Sequence, residues 1–228
     1  VSNRIVKVEK QAQSGGDKHA KKVLDLLFRY KEVLEMGRNA REVVIENAED
    51  AKIAKEFFLL TNKPVMYVCN VDEASAASGN AYVERVREAI KGEDAEILVI
   101  AAKIESEIAE LESFEEREMF LQEIGLETSG VVRLIQSAYS LLNLQTFFTI
   151  GGPELKAWTI KKGDKAPKAA GVIHTDFEKG FIRAEVIKYD DFVALGSEVA
   201  CRAAGKLNSE GKEYVVQDGD IMHFFFNV

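Results

Sequence analysis

The chain has 228 residues, 46% of them hydrophobic, enough for one large domain or two to three small ones with real cores. No apolar run reaches the roughly 18 residues of a membrane-crossing helix, and the first residues lack the basic-then-apolar layout of a signal peptide, so the expected compartment is the cytoplasm with no membrane partner. The net charge of −8 is segregated, with ten Lys/Arg against five Asp/Glu in residues 1–41, two against twelve in 93–127, and seven against four in 153–183. Such a distribution either offers basic surfaces to an anionic partner or reflects the solvated faces of several helices.

Val1, Ile5, Val8 and Ala12 recur at spacings of four, three and four. This heptad-like stripe predicts a helix from the first residue on, with no Ser/Thr/Asp before it as a cap. Ser14-Gly15-Gly16 breaks the pattern. Asp17 can cap a second helix with the stripe Val23, Leu26/Leu27, Tyr30 and Val33/Leu34, and together the two predict an antiparallel helical hairpin. Gly37 is a stop. A further helical stretch follows over 51–58, with Asp50 as its expected cap, and Pro64 disfavours helical geometry at the residue before it.

A short apolar, β-rich run at 65–69 comes next, then a helix over 80–91, a second apolar run at 95–101 and a glutamate-heavy helical region over 104–121. This alternation, with continuously apolar strands, predicts adjacent parallel strands covered by helices. An amphipathic helix at 131–142 leads into a different style of sequence. Strands at 145–150 and 157–160 flank Gly151-Gly152-Pro153; the turn Lys161-Lys162-Gly163-Asp164, a helix at 166–173, a strand at 181–189 and a last apolar run at 221–226 follow. These predict a compact α+β module of about 80 residues. There is no internal repeat.

The run at 65–69 ends in Asn70-Val71-Asp72-Glu73, an Asn-x-x-Glu where GTP-binding folds carry Asn-Lys-x-Asp. In that signature the aspartate accepts from the guanine ring N–H and exocyclic amine together. Here Glu73 is one methylene longer, and Val71 stands where the stacking lysine would be. Adenine presents an acceptor at that ring nitrogen and a donor amine, so the guanine fork is lost and adenine becomes the better fit. At the end of the next strand Ala101-Ala102-Lys103 occupies the place of the Ser-Ala-Lys-like loop that GTPases set against the base. Taken singly, an Asn-x-x-Glu after a strand also serves as a cap or turn. None of the 16 glycines begins a G-x-x-x-x-G-K-[ST] loop, so the chain reads as half of a nucleotide site.

Two further groupings bear on function. Lys156, Lys161, Lys162, Lys165, Lys168 and Arg183 gather near Trp158, and Arg4, Lys7, Lys10, Lys18, Lys21 and Lys22 lie near the hairpin tip; each set either meets RNA phosphates and bases or solvates its element. His174-Thr175-Asp176 is expected to be a structural turn. Cys69 and Cys201, without Cys-x-x-Cys spacing, read as ordinary reduced thiols, and no metal site or catalytic residue is assigned.

The chain resembles the YchF/Obg-like ATPase family over essentially its whole length. The resemblance is carried by Leu59-Leu60-Thr61-x-Lys63-Pro64, Asn70-Val71-Asp72-Glu73, Ala157-Trp158-Thr159-Ile160-x-Lys162-Gly163, Ala169-Ala170-Gly171-Val172-Ile173-His174-Thr175-Asp176-Phe177 and Gly211-Lys212-x-Tyr214-Val215-Val216-Gln217-Asp218-Gly219-Asp220-Ile221-Met222-x-Phe224. It implies a fold of class α/β plus α+β: a partial P-loop NTPase parallel sheet with an inserted antiparallel helical hairpin, followed by a ubiquitin-like β-grasp (TGS) domain. The implied boundaries are a helical arm at 1–57, the C-terminal part of the NTPase domain at 58–143 and the TGS domain at 144–228.

The resemblance further implies a ribosome-associated ATPase that prefers ATP, with Mg2+ in the complete protein, over GTP. Asn70, Val71 and Glu73 would frame the adenine, and Ala101, Ala102 and Lys103 would close it. The ribosomal partner, rRNA or protein, would be met by Lys18, Lys21 and Lys22 of the arm and Lys156, Lys161, Lys162, Lys165, Lys168 and Arg183 of the TGS domain. The family's phosphate loop and magnesium ligands would precede Val1, so this polypeptide is expected to be inactive alone and to hold no nucleotide tightly. The alternative is a nucleotide-independent ribosome- or RNA-binding module built from the arm and the TGS domain. In the family the two parallel strands lie at one side of a larger sheet, so self-association through an exposed sheet edge is expected.

Overall fold

A computed structural model describes residues 1–13, 17–93, 95–151 and 154–227. The predicted break at 14–16 and the Gly152-Pro153 turn lie outside the described residues. The chain divides into two compact units, Val1–Val65 and Met66–Val228.

The first unit is helical. Helices α1 (Ser2–Gln13) and α2 (Lys18–Glu35) pack through the predicted stripes, with Ile5, Val8 and Ala12 of α1 buried together with Ala20, Val23, Leu26 and Leu27 of α2 and Ile53 of α3 (Ala48–Lys55). Asp17 caps α2, its Oδ1 accepting from the amides of His19 and Ala20 at 2.9 and 3.2 Å. The helix stops at Gly37, whose φ of +72° suits glycine. The Gly37 amide reaches the Leu34 carbonyl and the Arg38 amide that of Val33, the paired bonds of a Schellman end. The cap of α3 is Asn47, not Asp50: Asn47 Oδ1 accepts from the Asp50 amide at 2.9 Å, which places Asp50 in the first turn, where a carboxylate favours the positive end of the helix dipole. The segment after α3 folds back within this unit, as the Ala40 amide donates to Thr61 Oγ1 at 3.0 Å and Leu59 packs with Tyr30 and Ala40.

The second unit opens with two parallel strands, β1 (Met66–Asn70) and β2 (Glu96–Ile100), in register from Met66 opposite Glu96 to Asn70 opposite Ile100. Helix α4 (Ala81–Ala89) makes the crossover that a parallel pair requires. The glutamate-heavy helical region expected over 104–121 consists of two helices, α5 (Ala102–Glu110) and α6 (Phe114–Glu123). The break is a capping box: Ser113 Oγ accepts from the Glu116 amide, and the Glu116 carboxylate accepts from the Ser113 amide. Ile104, Ile108 and Leu121 bury against Ala76 and Ala101. Helix α7 (Gly130–Leu141) is held at its N-terminus by Glu105, whose carboxylate accepts from the amides of Gly130 at 2.6 Å and Val131 at 3.2 Å, and Arg133 donates to the Val99 carbonyl of β2 at 3.1 Å.

The remainder forms a five-stranded mixed sheet. Strands β3 (Leu144–Gly151) and β4 (Glu154–Lys161) pair antiparallel. Helices α8 (Ala166–Ile173) and α9 (Thr175–Lys179) lead to β5 (Phe181–Ile187); α10 (Tyr189–Leu195), α11 (Glu198–Ala203), β6 (Asn208–Glu210) and β7 (Ile221–Phe226) complete it. The strand order is β4-β3-β7-β5-β6, with β3 and β7 parallel and β5 antiparallel to both its neighbours. On one face Ala166, Ala169 and Ala170 of α8 are fully buried against Phe147, Ile160, Val186, Met222 and Phe224, since small side chains let the helix backbone approach the sheet. On the other face Cys201 of α11 lies buried with Ile187 and Ile221. Strand β5 stops at Ile187, two residues short of the expected end, because Lys188 begins the turn into α10.

Candidate nucleotide-base site and basic surfaces

Both base-site segments fall at the C-terminal ends of parallel strands, where open α/β sheets place their ligands. The Val71 amide continues the ladder to the Ile100 carbonyl at 2.8 Å. One step on, the Ala102 amide donates to Asn70 Oδ1 at 3.0 Å, so the asparagine side chain ties the first loop to the second. Asp72 Oδ1 accepts from the Ser75 amide at 3.0 Å and starts a 3-10 turn over Glu73–Ser75, which leaves the Glu73 side chain in solvent. Lys103 Nζ lies 4.0 Å from Glu73 Oε2 and 3.6 Å from Glu107 Oε1. Ala101 is buried and Val71 half-buried in the cluster formed with Ala76, Ile104 and Ile108. All six predicted residues therefore meet at one strand-end locus, with Asn70, Glu73, Ala102 and Lys103 exposed and Val71 and Ala101 packed behind them. Asp72 was missed, although Asp-x-x-Ser after a strand is the spacing of a side chain that caps a turn.

The basic candidates separate into neutralised and open ones. Lys22 is paired with Glu49, and that hydrogen bond raises its pKa above the ordinary lysine value. Lys156 pairs with Glu154 at 2.7 Å, Lys165 with Glu213, Lys168 with Glu178 at 3.9 Å, and Arg183 with Glu185 at 3.1 Å. Lys18, Lys21, Lys161 and Lys162 are exposed, with no carboxylate at ion-pair distance among the described residues. His174 caps α9 through Nδ1, which accepts from the Asp176 amide at 3.2 Å, a structural role as expected.

The other motif residues with dense polar contacts serve the sheet. Asp220 is fully buried, and its Oδ1 accepts from Lys188 Nζ at 2.6 Å while Oδ2 accepts from the Tyr214 hydroxyl at 2.6 Å and the Gln217 amide at 2.8 Å. Burial and the bond to Asp220 raise the Tyr214 pKa. For Lys188, burial pulls downward, but its bonds to Asp220 and Tyr214 outweigh it and the pKa is raised.

Comparison with known proteins gives a consistent set of relatives. Residues 144–227 match the family model YchF-GTPase_C, described as a protein of unknown function (DUF933). The chain is 51% identical over 230 residues to the ribosome-binding ATPase YchF of Bacillus subtilis (strain 168), covering 100% of this chain and 62% of that protein. It is 42% identical over 227 residues to Obg-like ATPase 1 of Rattus norvegicus, covering 98% and 57%. The structure of the Schizosaccharomyces pombe YchF GTPase superposes with a TM-score of 0.84 at 32% identity, covering 98% of this chain and 61% of that one. The chain thus spans about three-fifths of the length of these relatives.

Proposed function

The chain belongs to the YchF/Obg-like ATPase family, and from that premise we propose that it forms the helical arm, the base-recognising part of the nucleotide domain and the TGS domain of a cytoplasmic, ribosome-binding ATPase that takes ATP in preference to GTP. The carrying observation is the bond from the Ala102 amide to Asn70 Oδ1. It sets the two loops side by side and leaves the Asn70 amide group as a donor to a purine ring nitrogen. Glu73 then accepts from the adenine amine, Lys103 balances its charge across the mouth, and Val71 and Ala101 close the apolar side. The order β4-β3-β7-β5-β6, with the first and last strands central and parallel and α8 on one face, supports reading 144–228 as a ubiquitin-like β-grasp domain. The packing of α1 on α2 supports an arm at 1–57, with Leu59 and Thr61 still packed on that helical unit, so the nucleotide domain we propose over 58–143 takes its first strand at Met66.

These residues hold a base and not a triphosphate. Without the P-loop lysine and its cradle of backbone N–H groups, phosphoryl transfer lacks both positioning and charge stabilisation, so the 228 residues alone bind ATP weakly and do not hydrolyse it. Among the described residues no three His, Cys, Asp or Glu side chains are placed to hold a metal, and Mg2+ would be bound by the part of the family's length that this chain does not span.

The second reading, a nucleotide-independent module for the ribosome, is favoured by Lys18, Lys21, Lys161 and Lys162, which are exposed and have no carboxylate at ion-pair distance among the described residues. Co-sedimentation of the chain with ribosomes at two salt concentrations, with and without ATP, separates the two. Salt-sensitive binding indifferent to ATP establishes the module; binding restored only when the complete protein carries ATP establishes the ATPase as the working unit.

A further inference from the structure

Phe224 and Met222 of β7 point into the core, so Phe225 and His223 stand on the opposite face of the sheet. Their register partners on β5 are Arg183 and Glu185. The Arg183 guanidinium lies over the Phe225 ring, 3.7 Å from its centroid, and the His223 ring meets the same phenylalanine edge-on at 4.9 Å. Hydrogen bonds from Arg183 to Glu185 at 3.1 Å and Ser209 at 3.4 Å hold the guanidinium there. Glu185 also accepts from Arg202 at 2.9 Å, and Arg202 meets Glu198 at 3.7 Å.

The depth of these groups decides what approaches them. Arg183 and Arg202 side chains are 38% and 58% exposed and the Glu185 carboxylate between them 13%, so on the Arg183 side an incoming group meets guanidinium before carboxylate, while the Glu198 carboxylate beside Arg202 is 48% exposed. A positioned guanidinium, an exposed imidazole and a half-buried phenyl ring, on the part of this sheet face beyond the Cys201–Ile221 contact of α11, are surfaces on which unpaired bases stack, and a neighbouring arginine suits their phosphates. A duplex keeps its base faces stacked on one another and cannot use such a platform.

We propose that Arg183, His223 and Phe225 form a stacking platform for single-stranded RNA, with Arg202 at the backbone. The inference rests on the ribosome reading only for the choice of RNA as the nucleic acid. It differs from the lysine surfaces in being driven by stacking, so its affinity falls less steeply with salt than theirs.

The test uses the 228-residue chain and a labelled ten-nucleotide oligouridylate, followed by fluorescence anisotropy at two salt concentrations, with a ten-base-pair RNA duplex as competitor. His223→Ala and Arg183→Met each weaken binding roughly fivefold or more, the lower end of what loss of one stacked base produces. His223 is exposed and Arg183 half-buried, and unchanged thermal melting shows the variants fold. Phe225→Leu weakens binding as well, but is interpreted only alongside its melt. No binding by the wild-type chain, wild-type binding by both of these variants, or efficient competition by duplex overturns the platform. Ribosome co-sedimentation of the same variants is measured in parallel. If the chain fails to sediment while oligonucleotide binding responds to His223→Ala, the nucleotide-independent ribosome module falls and the platform stands.

Discussion

Asp220→Ala tests whether the Tyr214–Met222 stretch that carries the family resemblance is a structural lock. The carboxylate is fully buried and is met by three donors, Lys188 Nζ, the Tyr214 hydroxyl and the Gln217 amide. Removing it leaves Lys188, whose side chain is 46% exposed, free to turn to water, so that ion pair is screened and adds little. The hydroxyl and amide, whose bonds to the carboxylate are part-buried, lose their acceptor at about 1–3 kcal/mol each, for a total of about 3 kcal/mol once partial rehydration is allowed. A loss of that size lowers Tm by roughly 6–12 °C in a chain of this length. Tyr214 and Lys188 both have pKa values raised by folding, so each holds its proton more tightly in the native state. The stability they contribute is complete below the unfolded values, about pH 10 for the two groups, and is lost as pH rises through the folded ones. Urea denaturation of wild type, Asp220→Ala and Tyr214→Phe at pH 8 and pH 11 checks both parts. The wild type should lose more stability on going to pH 11 than Tyr214→Phe does. A change below about 0.5 kcal/mol for Asp220→Ala at pH 8, the range of a neutral surface substitution, would refute the reasoning.

Three other outcomes are expected. In a complete protein of this family, Val71→Lys with Glu73→Asp should move selectivity from ATP toward GTP by roughly tenfold or more, as one bidentate base contact discriminates by about 1–3 kcal/mol; competition binding with both nucleotides measures it, and an unchanged ratio removes Glu73 from the base site. Glu105→Ala should cost about 1–2 kcal/mol by chemical denaturation, because two amides at the start of α7 lose a charged acceptor. Among the described residues β1 pairs with β2 alone, and Val68 of β1 is 49% exposed. Sedimentation of the chain should therefore show dimers growing with concentration and diminished by Val68→Glu, whereas a monomer at every concentration sinks the idea.

What could be read in advance followed the periodic rules of helices and strands. The stripes of α1 and α2 name the buried residues because 3.6-residue periodicity puts them on one face, and Asp17 and Gly37 mark the ends because their chemistry is local. The start of α3 went wrong by three residues since Asn47 and Asp50 are equally good caps in isolation, and the choice between them falls to packing. The split of α5 from α6 was written in Ser113-x-x-Glu116, a capping box overlooked inside a run of glutamates that all favour helix. Helices α10 and α11 escaped because they are only seven and six residues long, too short to show a period.

The two loops of the candidate base site were legible for the same reason that their chemistry is ambiguous from sequence alone. A strand followed by Asn70-x-x-Glu73, and a second strand followed by Ala101-Ala102-Lys103, specify two loops but not whether they touch. Contact between them rests on the parallel register of β1 and β2, which brings Asn70 opposite Ile100 and so within reach of the Ala102 amide. Had the register slipped by one residue, each side chain of β1 would have changed face and Asn70 could not have reached that amide. The same dependence explains why Arg183 was first counted with the lysines. Sequence places it in a basic stretch, whereas pairing of β5 with β7 sets it over Phe225, forty-two positions away, where the guanidinium becomes a flat surface as well as a charge. A residue's chemical role here follows from its cross-strand partner, and that partner is fixed by the order of the sheet.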